Sequence, residues 1–231
     1  MARDLKAPVA AGGEPAPRAS TGPAGATGGS DLPGWARAVL VVLFAVTGFS
    51  ALTLQVVWQR VISMHGGVDL FSITTVVASF LGGLGIGSLA GGALADRLGP
   101  RRSLVAFAAA NAAIAAFAFA SLWLFYDLYG ALVPSLGGLG PSFAFHFALL
   151  IVPTTLMGLS LPLISRGVVA GAAEIAPMVG RLYATNTVGA AAGAAVSGWW
   201  MLGTLGFTAT VRVAAALNLV AAALILTLWR A

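Results

Sequence analysis

Six long stretches of the sequence contain no Asp, Glu, Lys or Arg, and this feature constrains the fold most. The stretches are 38–59, 71–95, 103–126, 128–165, 182–211 and 213–229. A helix needs about 20 mainly apolar residues to cross the hydrocarbon core of a bilayer. Each stretch can supply one span, the short sixth one if its helix begins near Thr208 and Arg212 reaches the interface. We therefore expect an all-α polytopic membrane protein with six transmembrane helices.

Composition excludes the main soluble classes. The 231 residues are 59% hydrophobic and 8% charged, whereas soluble domains carry about 25% charged residues. A soluble enzyme, a nucleic-acid binder and a disordered protein are therefore not expected. With no Cys and only two His, we expect no thiol catalysis and no metal site. No Ser/His/Asp set and no pair of carboxylates lies at bilayer depth, so we also expect no enzymatic activity and no cofactor.

The helix limits follow from these runs and from turn residues. The glycines and prolines of 134–141 predict a loop, so that the fourth helix begins near Ser142. We place the helices at about 37–59, 71–95, 103–126, 142–167, 179–203 and 208–230, within a transmembrane domain 34–231. In residues 1–33, 19 positions are Ala, Gly or Pro, which predicts a disordered tail.

The basic residues predict the orientation. With a cytoplasmic tail, ten Lys and Arg residues lie on that side and only Arg60 and Arg212 on the other. Positive charge marks cytoplasmic loops, so we expect a multi-pass protein of the inner (cytoplasmic) membrane with both termini in the cytoplasm. All six Trp residues, Trp58 among them, fall at predicted helix ends, where interfacial rings are favoured.

A shift of 107 residues superimposes two parts of the chain. It places Gly82 on Gly189, Leu98-Gly99 on Leu205-Gly206, and Asn111 on Asn218. The same shift carries the second and third spans onto the fifth and sixth. Each repeat then holds three spans in opposite orientation, a 3+3 inverted repeat of the kind found in many secondary transporters.

Glycines recur at four-residue spacing on two of the predicted helices. They are Gly83, Gly87 and Gly91 on the second, and Gly189 and Gly193 on the fifth. Such a strip lets another helix approach closely. Static packing and a sliding or gating surface both remain open.

The turn after the second span resembles that of the major facilitator superfamily. The matching positions are Gly92, Leu94, Asp96, Arg97, Gly99 and Arg101, with Pro100 departing from a usually basic position. The resemblance implies half of a major-facilitator fold, in which the Asp meets a helix start in the other half. Asp96 could therefore cap the start of the fifth helix, near 178–181, in a second copy. Alternatively, it pairs within the chain with Arg97, Arg101 or Arg181.

Other segments are similar to the membrane domain of fused major-facilitator/spermidine-synthase-like proteins. They are QVVWQR at 55–60, PTTLMG at 153–158 with Leu161 and Pro162, and GRLYATNTVGA at 180–190. The resemblance implies a cytoplasmic synthase-like domain after the sixth span. The sequence ends at Ala231, so we expect no synthase activity and no S-adenosylmethionine-type cofactor.

Polar residues inside the spans are candidates for a solute pathway. They are Gln55, Gln59, Arg60, Asn111, His146, Thr154, Asn186 and Asn218. Each also has a plain structural interpretation, such as a helix-to-helix hydrogen bond or an arginine that snorkels. Pro153 and Pro162 free backbone carbonyls of the fourth helix, either for a ligand or for a kink.

The absence of mid-span carboxylates predicts a neutral or anionic solute and disfavours a polyamine. The leading hypothesis is a half-size major-facilitator-like transporter in the lipid bilayer, acting as a homodimer. The alternative is a membrane anchor or assembly module for a separate cytoplasmic enzyme, because related proteins attach a soluble domain after the sixth span.

Overall fold

The described residues are almost entirely helical and contain no strand. The computed structural model describes residues 32–66, 69–136 and 138–230. Of the expected tail, residues 1–31 lie outside the described residues. Within the described ranges the chain is an all-α protein, as the sequence predicts.

Seven α-helices follow one another with short connections in these ranges. They are α1 (Gly34–Gly66), α2 (Asp69–Trp123), α3 (Tyr129–Leu136), α4 (Leu139–Val168), α5 (Ile175–Val196), α6 (Leu202–Thr204) and α7 (Gly206–Arg230). Two π-helical turns, Leu124–Leu128 and Ser197–Met201, join α2 to α3 and α5 to α6, and a 3₁₀ turn, Ala172–Glu174, precedes α5.

Glycines in the left-handed region shape two helix boundaries. Gly99 has φ 73° and ψ 175°, and it divides α2 into a first arm, 69–98, and a second arm, 100–123. Gly206 has φ 74° at the start of α7. Residues with a Cβ rarely adopt this conformation. Each turn is followed by a hydroxyl that donates to the glycine carbonyl, from Ser103 to Gly99 and from Thr210 to Gly206, both at 2.7 Å.

Four helices of the described chain are long and apolar enough to cross a membrane. They are Gly34–Met64, Leu70–Leu132, Gly140–Val168 and Gly206–Leu228. The second comprises 63 residues, which is about 95 Å if straight, and Gly99 divides it. The α5 helix is not among the four, because Arg181 and Asn186 lower its hydropathy. The chain is therefore an all-helical membrane protein.

The helices run back and forth between two buried apolar clusters. The first cluster contains Leu54 of α1, Val76 and Ala118 of the two α2 arms, Leu150 of α4 and Val211 of α7. The second contains Leu40, Ala95, Leu104, Leu163, Leu182 and Ile225, which come from α1, both α2 arms, α4, α5 and α7. Successive segments therefore run antiparallel.

Several helix ends differ from the predicted ones. The first helix continues past 59 to Gly66, the third continues through a π-helical turn into α3, and the fourth and fifth begin at Leu139 and Ile175. Charge-free runs stop at the first ionised residue, whereas helical backbone continues beyond it.

One tryptophan does not lie where the interfacial pattern placed it. Trp58 is 0% exposed, and α1 continues beyond it to Gly66. Its ring packs edge-on against Phe117 at 5.6 Å. Trp199, in contrast, is 92% exposed. Trp58 is therefore a core side chain and does not face outward like Trp199.

Candidate binding cavity

Glycines of the first α2 arm lie directly against α4. A Cβ built at Gly87 would overlap the Thr155 carbonyl oxygen, and one at Gly91 would lie 2.9 Å from the Leu159 Cα. Gly83 similarly leaves no room for a Cβ beside Thr154. These backbones touch because the side chains are absent.

Helices α1 and α5 meet in the same manner. A Cβ at Gly189 would overlap the Ala45 carbonyl oxygen, and one at Gly193 would overlap that of Phe49. In the opposite direction, Gly48 of α1 lies against the backbone and side chain of Asn186. Both glycine strips are therefore helix contacts in this conformation.

The two sets of contacts correspond residue by residue. Gly87–Thr155 matches Gly189–Ala45, Gly91–Leu159 matches Gly193–Phe49, and Gly158–Leu84 matches Gly48–Asn186. The offset is 102 residues from α2 to α5 and 110 from α1 to α4. The single offset of 107 holds for Gly99 and Gly206 but not for the glycine strips. By contact, Gly189 corresponds to Gly87 rather than to Gly82.

A cavity of about 370 Å³ lies between these helix pairs. Its wall comes from α1, both arms of α2, α4, α5 and α7: Phe44, Thr47, Gly48, Ala51, Leu52, Gln55, Val77, Phe80, Leu81, Leu84, Ser88, Asn111, Ile114, Met157, Gly158, Ser160, Leu161, Tyr183, Asn186 and Asn218. Four side-chain amides lie among apolar and aromatic groups, and none of these lining residues is charged. The volume is in the range of small-molecule pockets.

Two asparagines at corresponding positions form part of the wall, and each is 1% exposed. Asn218 Nδ2 donates to Ser50 Oγ at 2.7 Å, and Ser50 Oγ donates to the Ala214 carbonyl at 2.8 Å. Asn111 Nδ2 donates to the Phe107 carbonyl at 2.9 Å, but its Oδ1 has no hydrogen-bond partner among the described residues. The two amides thus differ in their hydrogen bonding.

Proline supplies a further acceptor at the wall. Pro162 lies inside α4 and has no N–H for the carbonyl of Gly158, four residues earlier. Ser88 Oγ of the first α2 arm lies 3.5 Å from that oxygen, a long hydrogen bond. The helix itself remains continuous from Leu139 to Val168, so this proline does not divide it.

Four of the eight candidate pathway residues line the cavity: Gln55, Asn111, Asn186 and Asn218. Gln59 and the exposed Arg60 follow Gln55 along α1 but are not part of the wall. Arg60, a candidate pathway residue, is therefore not among the residues that line the cavity with the four amides.

His146 and Thr154 lie in packed surroundings away from the cavity. His146 Nδ1 is 2.9 Å from the Ser142 carbonyl oxygen, and the ring centroid is 4.4 Å from that of Tyr129. Thr154 Oγ1 lies 2.7 Å from the Leu150 carbonyl and 3.1 Å from that of Ser79. Thr154 therefore joins α4 to the first α2 arm.

The charged turn at Gly99 is exposed. Asp96, Arg97, Arg101 and Arg181 all face outward. Within residues 32–66, 69–136 and 138–230 the ion pair is Arg37–Glu174, at 3.1 Å, and Asp96 forms none. The predicted intrachain pairing of Asp96 is therefore absent from the described part of the chain. At Gly92, the first residue of the motif, a Cβ would meet no atom of another described element within 4 Å.

Sequence reasoning missed Ser50, Ser88 and the α1 contact at Gly48. Ser50 and Ser160 are separated by the same 110 residues that relate α1 to α4. A search that allowed each helix its own offset would have found this pair, whereas the single offset of 107 conceals it.

No group of three His, Asp or Glu residues within the described ranges could hold a metal ion. The cavity wall offers amides, hydroxyls and a freed carbonyl, which can bind through hydrogen bonds. Comparison with protein-family models, with curated proteins and with solved structures finds no significant match for this chain.

Proposed function

We propose that the chain is a half-size transporter of the major-facilitator type that moves a neutral or anionic small solute across the membrane. The observation that carries the proposal is the amide-lined cavity between two sets of corresponding helix contacts. Secondary transporters commonly bind their solutes at the interface of inverted repeats.

The correspondence of contacts supports a 3+3 inverted repeat. α1 and the two arms of α2 form one set, and α4, α5 and α7 form the other. The turns at Gly99 and Gly206 have φ of 73° and 74°, and both are followed by a hydroxyl bonded to the glycine carbonyl. Six spans result if each α2 arm crosses separately and α5 continues through 197–204 as the fifth.

The chemistry of the wall supports an uncharged or anionic solute. No carboxylate lines the cavity, so a polyamine would leave water without a compensating charge, which is costly in a low-dielectric site. Amide N–H groups can donate to an anion or to a neutral acceptor, whereas their carbonyl oxygens accept from a donor.

A homodimer completes the proposal. The wall includes Leu81 of the first α2 arm and Tyr183 of α5, which are 68% and 64% exposed, so the cavity reaches the surface between these two helices. A second copy placed here would separate the cavity from lipid. Asp96, unpaired among the described residues, could then meet the start of α5 in the partner, where the helix dipole favours a carboxylate.

Reconstituted vesicles test the function. Proteoliposomes are loaded with a mixture of neutral and anionic metabolites plus spermidine, and solute loss is followed by mass spectrometry. We expect protein-dependent loss of at least one neutral or anionic solute and retention of spermidine. Ala51→Phe, which narrows the cavity, abolishes the loss, whereas the matched Ala216→Phe on an exposed face of α7 does not.

Two outcomes contradict the proposal. Retention of every solute by the wild-type protein removes the transporter class, and co-purification of a soluble enzyme in that case supports the anchor hypothesis. Rapid loss of spermidine alone refutes the argument from the missing carboxylates.

A further inference from the structure

We infer that the cavity binds a neutral molecule with an apolar body and at least one N–H or O–H group, and that Asn111 Oδ1 accepts the hydrogen bond from that group. The inference rests on the proposed function in that it takes this cavity as the solute site. It adds the chemical class of the solute and the atom that selects it.

The orientation of the Asn111 amide follows from its neighbour. Nδ2 lies 2.9 Å from the Phe107 carbonyl oxygen, and the flipped amide would place two acceptors against each other. Oδ1 is therefore the atom left for another partner. It is buried and without a hydrogen bond among the described residues, an arrangement that native interiors generally avoid.

The corresponding amide explains why this role falls to one asparagine. Asn218 donates to Ser50 Oγ at 2.7 Å, so its amide is already held by α1. Ser160, which corresponds to Ser50, lies 3.4 Å from the Leu156 carbonyl of its own helix and does not bond Asn111. The Asn111 Oδ1 acceptor is consequently left without a partner among the described residues, in a side chain that forms part of the cavity wall.

The rest of the wall defines the body of the molecule. Phe44 and Phe80 contribute aromatic surface, and Leu84, Ile114 and Met157 contribute aliphatic surface. No charged side chain lines the cavity, so an ionised group of either sign would be desolvated without a counter-charge. This narrows the proposed neutral or anionic class to the neutral one. A volume of about 370 Å³ is far more than a single water needs.

Matched probe pairs that differ only in a hydrogen-bond donor test the inference. The pairs are indole with N-methylindole and phenol with anisole, titrated calorimetrically into the purified full chain in detergent. We expect each donor to bind the wild-type protein about tenfold more tightly than its methylated partner, the loss associated with one buried hydrogen bond. Asn111→Leu removes this preference by weakening the donors, and comparison of the two proteins cancels partition into micelles.

The matched control is Thr227→Val on α7, whose hydroxyl donates to the Leu224 carbonyl of its own helix and to no other group among the described residues. The Thr227→Val protein retains the preference for the hydrogen-bond donor of each probe pair. Equal affinities within both pairs in the wild-type protein, a preference that survives Asn111→Leu, or no saturable binding of either donor at millimolar concentration overturns the inference. If Asn111→Leu fails to fold, titration of protein-free micelles corrects for partition and the pair comparison in the wild-type protein stands.

Failure of transport and failure of this inference are distinguishable. Donor-selective binding without solute flux removes the transporter and keeps the site. Flux of a solute that is unaffected by Asn111→Leu keeps the transporter and removes the site.

Discussion

Replacing Gly87 with Ala tests the contact between the first α2 arm and α4. A Cβ at this position would overlap the Thr155 carbonyl oxygen and lie 2.8 Å from the Gly158 Cα. Both are backbone atoms, so the overlap cannot be relieved by a side-chain rotation and α4 must move away. The neighbouring close contact at Gly91 would then open as well.

The expected change in the free energy of unfolding of Gly87→Ala is the difference between two effects. Ala is favoured over Gly in a helix interior by about 1 kcal/mol. Overpacking costs about 1–3 kcal/mol, and a rigid backbone places this site toward the upper end. We expect Gly87→Ala to lower the free energy of unfolding by about 1–2 kcal/mol.

Gly85→Ala is the matched control on the same helix. A Cβ at Gly85 meets nothing within 4 Å, so only the propensity term remains, and this variant is expected to gain up to about 1 kcal/mol. The difference between the two variants, about 2–3 kcal/mol, isolates the packing contribution. Reversible unfolding of both in mixed micelles by SDS titration measures it. Equal stability of the two variants would refute the proposed contact.

Three other predictions concern features of the described chain. Gly99→Ala lowers the free energy of unfolding by at least about 1 kcal/mol, because φ is 73° at this residue. Gly92→Ala does not, because a Cβ at Gly92 meets open space. SDS titration of both variants tests this prediction, and an equal loss of stability contradicts it. Asn218→Leu and Ser50→Ala each lower the free energy of unfolding by about 1–3 kcal/mol. A double-mutant cycle gives a coupling free energy above about 0.5 kcal/mol. Additive effects of the two substitutions would show that the 2.7 Å hydrogen bond between these side chains contributes nothing to stability. Arg37→Ala lowers the free energy of unfolding by less than about 1 kcal/mol, because the ion pair with Glu174 is partly exposed. The difference in stability from the wild-type protein vanishes in 1 M salt. A larger loss that does not depend on salt means that Arg37 acts by packing.

The sequence was a good guide to the long helices because the bilayer imposes a simple rule. Each long helix of the described residues overlaps a charge-free stretch of about 20 residues, and Gly99 marked the break in α2. The rule misplaced the ends, since α1 passes Arg60 and continues to Gly66. Trp58, predicted at a helix end, lies within α1 and is buried in the core.

The candidate site was predictable only in part, because polar residues in a span have both structural and functional roles. Gln55, Asn111, Asn186 and Asn218 share a cavity, but His146 and Thr154 are held by backbone carbonyls elsewhere. Nothing in the sequence separates these two groups. The separate offsets of 102 and 110 follow from which backbone carbonyl each glycine contacts. The packing of the helices determines these contacts, and the sequence pattern alone does not show them.

The central claim, that the cavity lies on a solute path, is tested most directly by a single cysteine at Ala51, since the chain has no native Cys. The Ala51→Cys protein is placed in right-side-out and inside-out vesicles and treated with a membrane-impermeant thiol reagent, with Ala216→Cys as the exposed-face control. The proposed transporter predicts extensive modification at 51 from either side, because the cavity opens to each side in turn, and little modification at 216. Modification at 51 from one side only, or from neither, would contradict it.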